Sequence, residues 1–306
     1  MRRRRIEKVT LQKRVNMFGE CHAHLAMDGI NYKQAMARHT KHPDVQHIRA
    51  CLEAYQAKGV SFVRDGGDAY GVSHCAASIA PEFGIDYRTP IFAIHEQGNY
   101  GSIVGRAFTN MREYAALVDK AEALGADFIK IMTTGIMDFN EYGRITHHNL
   151  PAPTIREMVH IAHEKGFAVM SHTNGKQAVL DAVEAGVDSV EHGNYIDDEC
   201  IAALAESHTC YVPTATVAHN LVGSGLFPDG VLKRIVETSY ENIAKAVNAG
   251  CLVALGSDAG AVGVPHGQGI LDEYACFAAA VPNREHLDEA LARGEAFIRA
   301  RFNRAS

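Results

Sequence analysis

MREYAALVDKAEALGADFIKIM, residues 111–132, holds the two periods from which the fold is read. Met111, Tyr114, Val118 and Ala121 recur at three- and four-residue spacing, which predicts an amphipathic helix. Gly125 is a helix stop, and ADFIKIM (126–132) follows as a short apolar run. Apolar character on successive positions suits a strand buried on both faces, as in a parallel sheet.

The same unit repeats in both directions. Further apolar runs are VNMFGECH (15–22), VSFVRD (60–65), TPIFAIH (89–95), FAVMSH (167–172), DSVEHG (188–193), TCYVPT (209–214) and CLVALGSD (251–258). Between them lie helical patterns such as VQHIRACLEAYQAKG, IREMVHIAHEKG, KQAVLDAVEAG and VLKRIVETSYENIAKAVNAG, each ending at glycine. Eight strands with intervening helices predict an α/β fold, a (β/α)8 TIM barrel, for which about 250 residues is typical. A doubly wound open sheet is the runner-up, weakened by the absence of G-x-G-x-x-G after the first strand. The expected organisation is a basic extension over 1–14 and a single barrel over 15–306. The barrel ends in a helix from PNREHLDEALARGEAFIRARFNR, with no evident β-sandwich domain.

Composition narrows the function. The 306 residues carry a net charge of −6, with 47% hydrophobic and 22% charged residues. This is ordinary globular composition and suggests neither a nucleic-acid nor a membrane partner. MRRRRIEK is basic but precedes no secretory apolar core, and no run reaches transmembrane length. Seven cysteines, odd in number and without a Cys-x-x-Cys pair, point to a reducing cytoplasm. The unusual features are 17 histidines and no tryptophan.

Several histidines stand at strand ends. His22 and His24 end the first strand, His172 the fifth, His192 the sixth and Asp258 the eighth, while Lys130 lies within the fourth. Strand C-termini form the functional rim of such a barrel. The period of two sends His22 and His24 to one side and Cys21 and Ala23 towards the helices. Pairing of strands eight and one would bring Asp258 to the two histidines. Strands four to six would bring Lys130, His172 and His192 together opposite them. Imidazole and carboxylate suit zinc or a similar divalent ion, and two groups across one mouth suggest two ions. A buried lysine is costly. Carboxylation by CO2 would make it a bridging anion; snorkelling or a carboxylate partner would also account for it.

CHAHL, DFIKIMTTG, VMSHTNG, DSVEHGNYI and LGSDAG, in this order over residues 15–275, resemble the amidohydrolase superfamily. The wording is most similar to its imidazolonepropionase-like branch, which includes metal-dependent Xaa-Pro dipeptidases (prolidases). The resemblance implies a first ion on His22, His24 and Asp258, a second on His172 and His192, and a carboxylated Lys130 bridging them. Zinc is the expected ion, with manganese or iron as alternatives. Many members add a β-sandwich built from both termini, and this chain reads as the barrel alone.

The expected activity is hydrolysis of an amide or peptide bond, in a dipeptide or an N-acyl amino acid, by a metal-bridging hydroxide. Asp258 would move the proton to the leaving nitrogen. A small molecule is the expected partner, with self-association left open. Rim-loop candidates for substrate binding are His95, Tyr100, Arg144, His147, His148, Tyr211 and His219, each also readable as a solvated or packing residue. His266 is similarly ambiguous, and Arg64 with Asp65 reads as an ion pair beneath the site. A one-metal deaminase, a lactonase or phosphotriesterase, and a non-catalytic metal-binding barrel are the competing readings.

Overall fold

The computed structural model describes residues 18–304. The expected extension over 1–14 and the start of the first apolar run lie outside the described residues. The helix expected in the opening stretch spans Met111–Ala123; Asn110 caps it by accepting from Glu113 N, and Tyr114, Val118 and Ala121 face the core.

Strands β1 (Glu20–Ala23), β2 (Phe62–Asp65), β3 (Asp86–Arg88), β4 (Ala93–Glu96), β5 (Gly105–Phe108), β6 (Ile129–Met132), β7 (Val169–Thr173), β8 (Ser189–His192) and β9 (Cys210–Val212) pair in parallel. Their orders are β1-β2-β3 and β5-β4-β6-β7-β8-β9. Two features join these arcs into a barrel.

The expected third strand, 89–95, is regular only from Ala93, in Ala93–Glu96, which pairs with β6. The separate strand Asp86–Arg88 before it pairs with β2, and Pro90 and Ile91 lie between the two. Proline supplies no N–H to a ladder, and Ile91 has φ 67°, outside extended geometry. The expected eighth strand is an irregular segment bonded on both edges. Tyr211 N donates to Leu252 O (2.8 Å) and Ala254 N to Tyr211 O (3.1 Å), while Cys21 N donates to Leu255 O (2.9 Å) and Asp258 N to His22 O (2.8 Å). Residues 252–259 therefore close the ring between β9 and β1, which excludes an open sheet.

Sequence reading missed β3 and β5. Each is short, and the middle two residues of β5 are exposed, so neither shows an apolar run.

Most apolar residues pack between strands and helices. A second cluster fills the barrel floor: Cys21, Phe62, Phe128, Met170, Val212 and Ala254 from the strands meet Ile298 and Phe302 at the end of the C-terminal helix Arg284–Arg301. Burial of one such phenylalanine contributes about 1.5–3 kcal/mol. Ala23 packs in the main core as expected, but Cys21 joins the floor, in a strand whose register against β2 shifts between Glu20 and Ala23. No helix among the described residues is long and apolar enough to cross a membrane.

Candidate metal centre

The barrel mouth opens on a cavity of about 280 Å3 whose lining includes His24, Lys130, His172, His192 and Asp258. His22 lies just beneath. Its Nδ1–H donates to Glu191 Oε2 at 2.6 Å, whereas its buried Nε2 has no hydrogen-bond partner among the described residues. That nitrogen is 3.6 Å from Asp258 Oδ1, and His24 Nε2 is 3.9 Å from the same oxygen. One ligand atom from each of the three residues lies within 4.8 Å of the others. His24 Nδ1–H donates to Gly67 O (3.2 Å), which aims Nε2 at Asp258. Its ring occupies the space where a Cβ on Gly66 would stand, 2.3 Å from Cε1.

Across the mouth, the rings of His172 and His192 are 4.6 Å apart, and His192 is 5.0 Å from His22. His172 Nε2–H donates to Gly135 O (3.0 Å), and His192 Nδ1 is hydrogen-bonded to Thr214 Oγ1 (2.7 Å). Each ring thus keeps its other nitrogen for a ligand, the arrangement by which partners fix a ligating imidazole. Burial keeps these imidazoles neutral, lowering His24, pulling His172 down to about 3, and holding His22 and His192 well below their usual range. Burial raises Asp258 and lowers Lys130 to about 8. Lys130 is buried, a costly state for an ammonium, and the charges of Glu191 and Asp258 only partly offset that cost.

Neutral imidazoles, an orphaned Nε2 and a carboxylate within ligand reach fit a divalent cation on His22, His24 and Asp258. His172, His192 and Lys130 fit a second, provided the lysine is converted to an anion.

Beneath the site Arg64 does not pair with Asp65. Its Nη2 donates to Glu191 Oε1 (2.9 Å) and Oε2 (3.0 Å), its Nη1 to Ser189 Oγ (2.9 Å) and its Nε to Cys21 O (2.6 Å). Asp65 instead accepts from Leu25 N (2.8 Å), Gly67 N (2.7 Å) and Ser73 Oγ (2.6 Å), which holds the turn carrying His24. Glu191, the residue that orients His22, was missed by sequence reading. The only local signal was an acidic residue inside the apolar run DSVEHG.

The rim-loop candidates divide. Tyr100 lines the cavity, its ring 5.1 Å from that of His172. Arg144 is exposed and tied to Glu141 (3.0 Å) and Asp138 (3.6 Å). His148 is paired with Glu96 (2.7 Å), His147 with Thr146 Oγ1 (3.0 Å), and His219 with the Tyr240 hydroxyl (2.9 Å). His95 donates through Nδ1–H to Glu96 O (2.9 Å), and Tyr211 packs in the core beneath Gly193. None of these six lines the cavity. Its walls are instead Met27, Ile103, Met132, Ile136, Met137 and Phe139, with Asn174 and Asn194 as neutral polar groups.

Fold and mouth together define a parallel barrel that gathers imidazoles, a lysine and a carboxylate around one cavity. The chain belongs to the Amidohydrolase family, whose sequence profile matches residues 18–271. It is 24% identical over 274 residues to ochratoxinase of Aspergillus niger, covering 78% of this chain and 56% of that protein. It is 32% identical over 127 residues to an uncharacterized protein of Mycobacterium tuberculosis, covering 40% of this chain and 34% of the other. The chain thus spans about a third and just over half of these relatives. Among solved structures it resembles a Xaa-Pro dipeptidase with bound methionine (TM-score 0.72, 19% identity, 92% of this chain and 75% of that one). It also resembles A. niger ochratoxinase (TM-score 0.72, 21% identity, 92% and 71%). At these identities the structural likenesses bear on the fold.

Proposed function

We propose that the chain is a metal-dependent hydrolase of a carbon–nitrogen amide bond, acting on a dipeptide or an N-acyl amino acid with a bulky apolar group. The carrying observation is the buried His22 Nε2, without a partner among the described residues and directed at Asp258 beside His24. Family membership supports amide chemistry, and the dipeptidase and ochratoxinase likenesses agree with it.

Divalent ions held by His22, His24 and Asp258, and by His172, His192 and a carboxylated Lys130, would activate water and polarise the scissile carbonyl. Asp258 lines the cavity beside His24 and would accept a proton from water and return it to the leaving nitrogen. The apolar walls exclude water and receive the acyl or side-chain group. Among the described residues no arginine lines the cavity, and the Tyr100 hydroxyl and the amides of Asn174 and Asn194 are neutral donors for a substrate carboxylate or carbonyl.

In zinc-loaded protein assayed on a panel of N-acyl amino acids and dipeptides, Asp258→Asn is expected to lower kcat about 10²–10⁴-fold while metal is largely retained. Wild-type-like turnover in that variant would remove the proton-transfer role. A one-metal deaminase is the second reading, favoured by one observation: among the described residues the tight ligand group in the mouth is His22, His24 and Asp258. Metal counting together with Lys130→Ala separates the two.

A further inference from the structure

A second cluster of ligand-type side chains lies outside the cavity. His47 and Cys51 are four residues apart in the helix Val45–Gln56 and so share one face. His266 reaches them from the loop that follows Asp258. One ligand atom from each of these three residues lies within 4.8 Å of the others, the same closeness shown by His22, His24 and Asp258. Cys51 Sγ is 3.5 Å from His47 Nε2. Metal–sulfur and metal–nitrogen bonds of about 2.3 and 2.0–2.1 Å at a tetrahedral angle set their donor atoms about 3.6 Å apart. The pair already spans such an edge.

The loop is built to hold His266 there. Gly267, at φ +73°, lies where a Cβ would stand 2.4 Å from Ala54 O, so the backbone presses directly on the helix. His266 Nε2–H donates to Met27 O (2.9 Å), which fixes the tautomer and turns the Nδ1 lone pair to the side of the helix, where it accepts from the Tyr55 hydroxyl (3.2 Å). His47 and His266 are partly exposed and Cys51 is buried, giving a site that solvent reaches from one side.

We propose that His47, Cys51 and His266 form a second metal site, separate from the cavity, for a zinc-like divalent ion with solvent as the fourth ligand. The donor set of two imidazoles and one thiolate suits that class of ion and not magnesium or calcium. On binding, Cys51 gives up its thiol proton to solvent. His47 shifts its proton from Nε2 to Nδ1 and releases Leu25 O, to which it donates at 2.9 Å, and the Tyr55 hydroxyl turns its proton away from His266 Nδ1. One proton leaves per ion bound. The ion would tie the helix to the loop after Asp258, next to the turn whose Met27 lines the cavity.

The test uses the full chain loaded with cobalt(II) or zinc. Cobalt bound to a thiolate gives a near-ultraviolet sulfur-to-metal charge-transfer band, and none of the six cavity positions is a cysteine. The expected result is that band in the wild type, with Cys51→Ser losing both the band and one equivalent of metal. His266→Gln is expected to weaken metal binding at the site, and His22→Ala to retain the band, so failure here is distinguishable from failure of the cavity reading. X-ray absorption on the zinc-loaded wild type, which needs no variant to fold, should show sulfur at about 2.3 Å. No band and no sulfur at saturating metal, or a band that persists in Cys51→Ser, would overturn the proposal and leave the 3.5 Å contact as a thiol–imidazole hydrogen bond.

Discussion

A lysine with 1% of its surface exposed must lose its charge or find a counter-charge, and at Lys130 burial outweighs the charges of Glu191 and Asp258. In the two-ion reading Lys130→Ala is expected to remove one equivalent of metal and lower kcat at least ~100-fold, measured by metal analysis and turnover. Retained activity with one bound ion would favour the deaminase. Glu191 is the other decisive residue, since it orients His22 and neutralises Arg64 at once. Glu191→Gln is expected to weaken zinc binding about 10–100-fold, read by chelator competition. It should also cost about 3–5 kcal/mol in urea unfolding, because Arg64 is left buried without a counter-charge. Unchanged affinity would sever the link between that carboxylate and the site.

At the level of elements, the rim is built from bent strand ends. His192, Thr214 and Asp258, at the ends of three consecutive staves, have φ of 70°, 50° and 58°. Such geometry costs about 1–3 kcal/mol per residue and is offset by the packed barrel below. It turns side chains into the mouth that regular strands would send outward. The short helix Thr216–Leu221 is held by Glu273 of the helix Gly269–Ala280, whose carboxylate accepts from Ala215 N (3.1 Å) and Thr216 N (2.7 Å). Burial raises Glu273 to about 7. A carboxyl raised in the folded state stabilises most below its unfolded pKa of 4.5, and that contribution is lost as pH rises towards 7. Relative to Glu273→Gln, which removes this titration, the wild type should lose about 3 kcal/mol between those limits. Parallel urea curves at all pH values would contradict this.

For the molecule as a whole, chemistry and stability occupy opposite ends of the barrel. The C-terminal helix seals the floor: Phe302 lies 4.4 Å from the Arg64 guanidinium and packs edge-on against Phe128 at 5.3 Å. Phe302→Ala is expected to cost about 3–5 kcal/mol, read as a fall in the urea midpoint, since it opens a void beneath a buried cation. Near-wild-type stability would show that the floor repacks around Arg64.

Local pattern carried much of this architecture. Apolar runs, glycine stops and a three-to-four-residue period are properties of neighbouring residues, so the barrel class and most of its staves were legible. So were the strand-end positions of His22, His24, His172, His192 and Asp258, because a closed parallel ring sends strand C-termini to one mouth, and that of Lys130 within its strand. The pairing of Arg64 with Glu191, 127 residues away, was not legible. Nor were the separate short strand Asp86–Arg88, the apolar cavity wall, or the turning of Arg144 and His148 to neighbouring carboxylates. These depend on which side chains meet after distant segments pack, and on backbone bends at Ile91, His192 and Asp258 that no local period encodes.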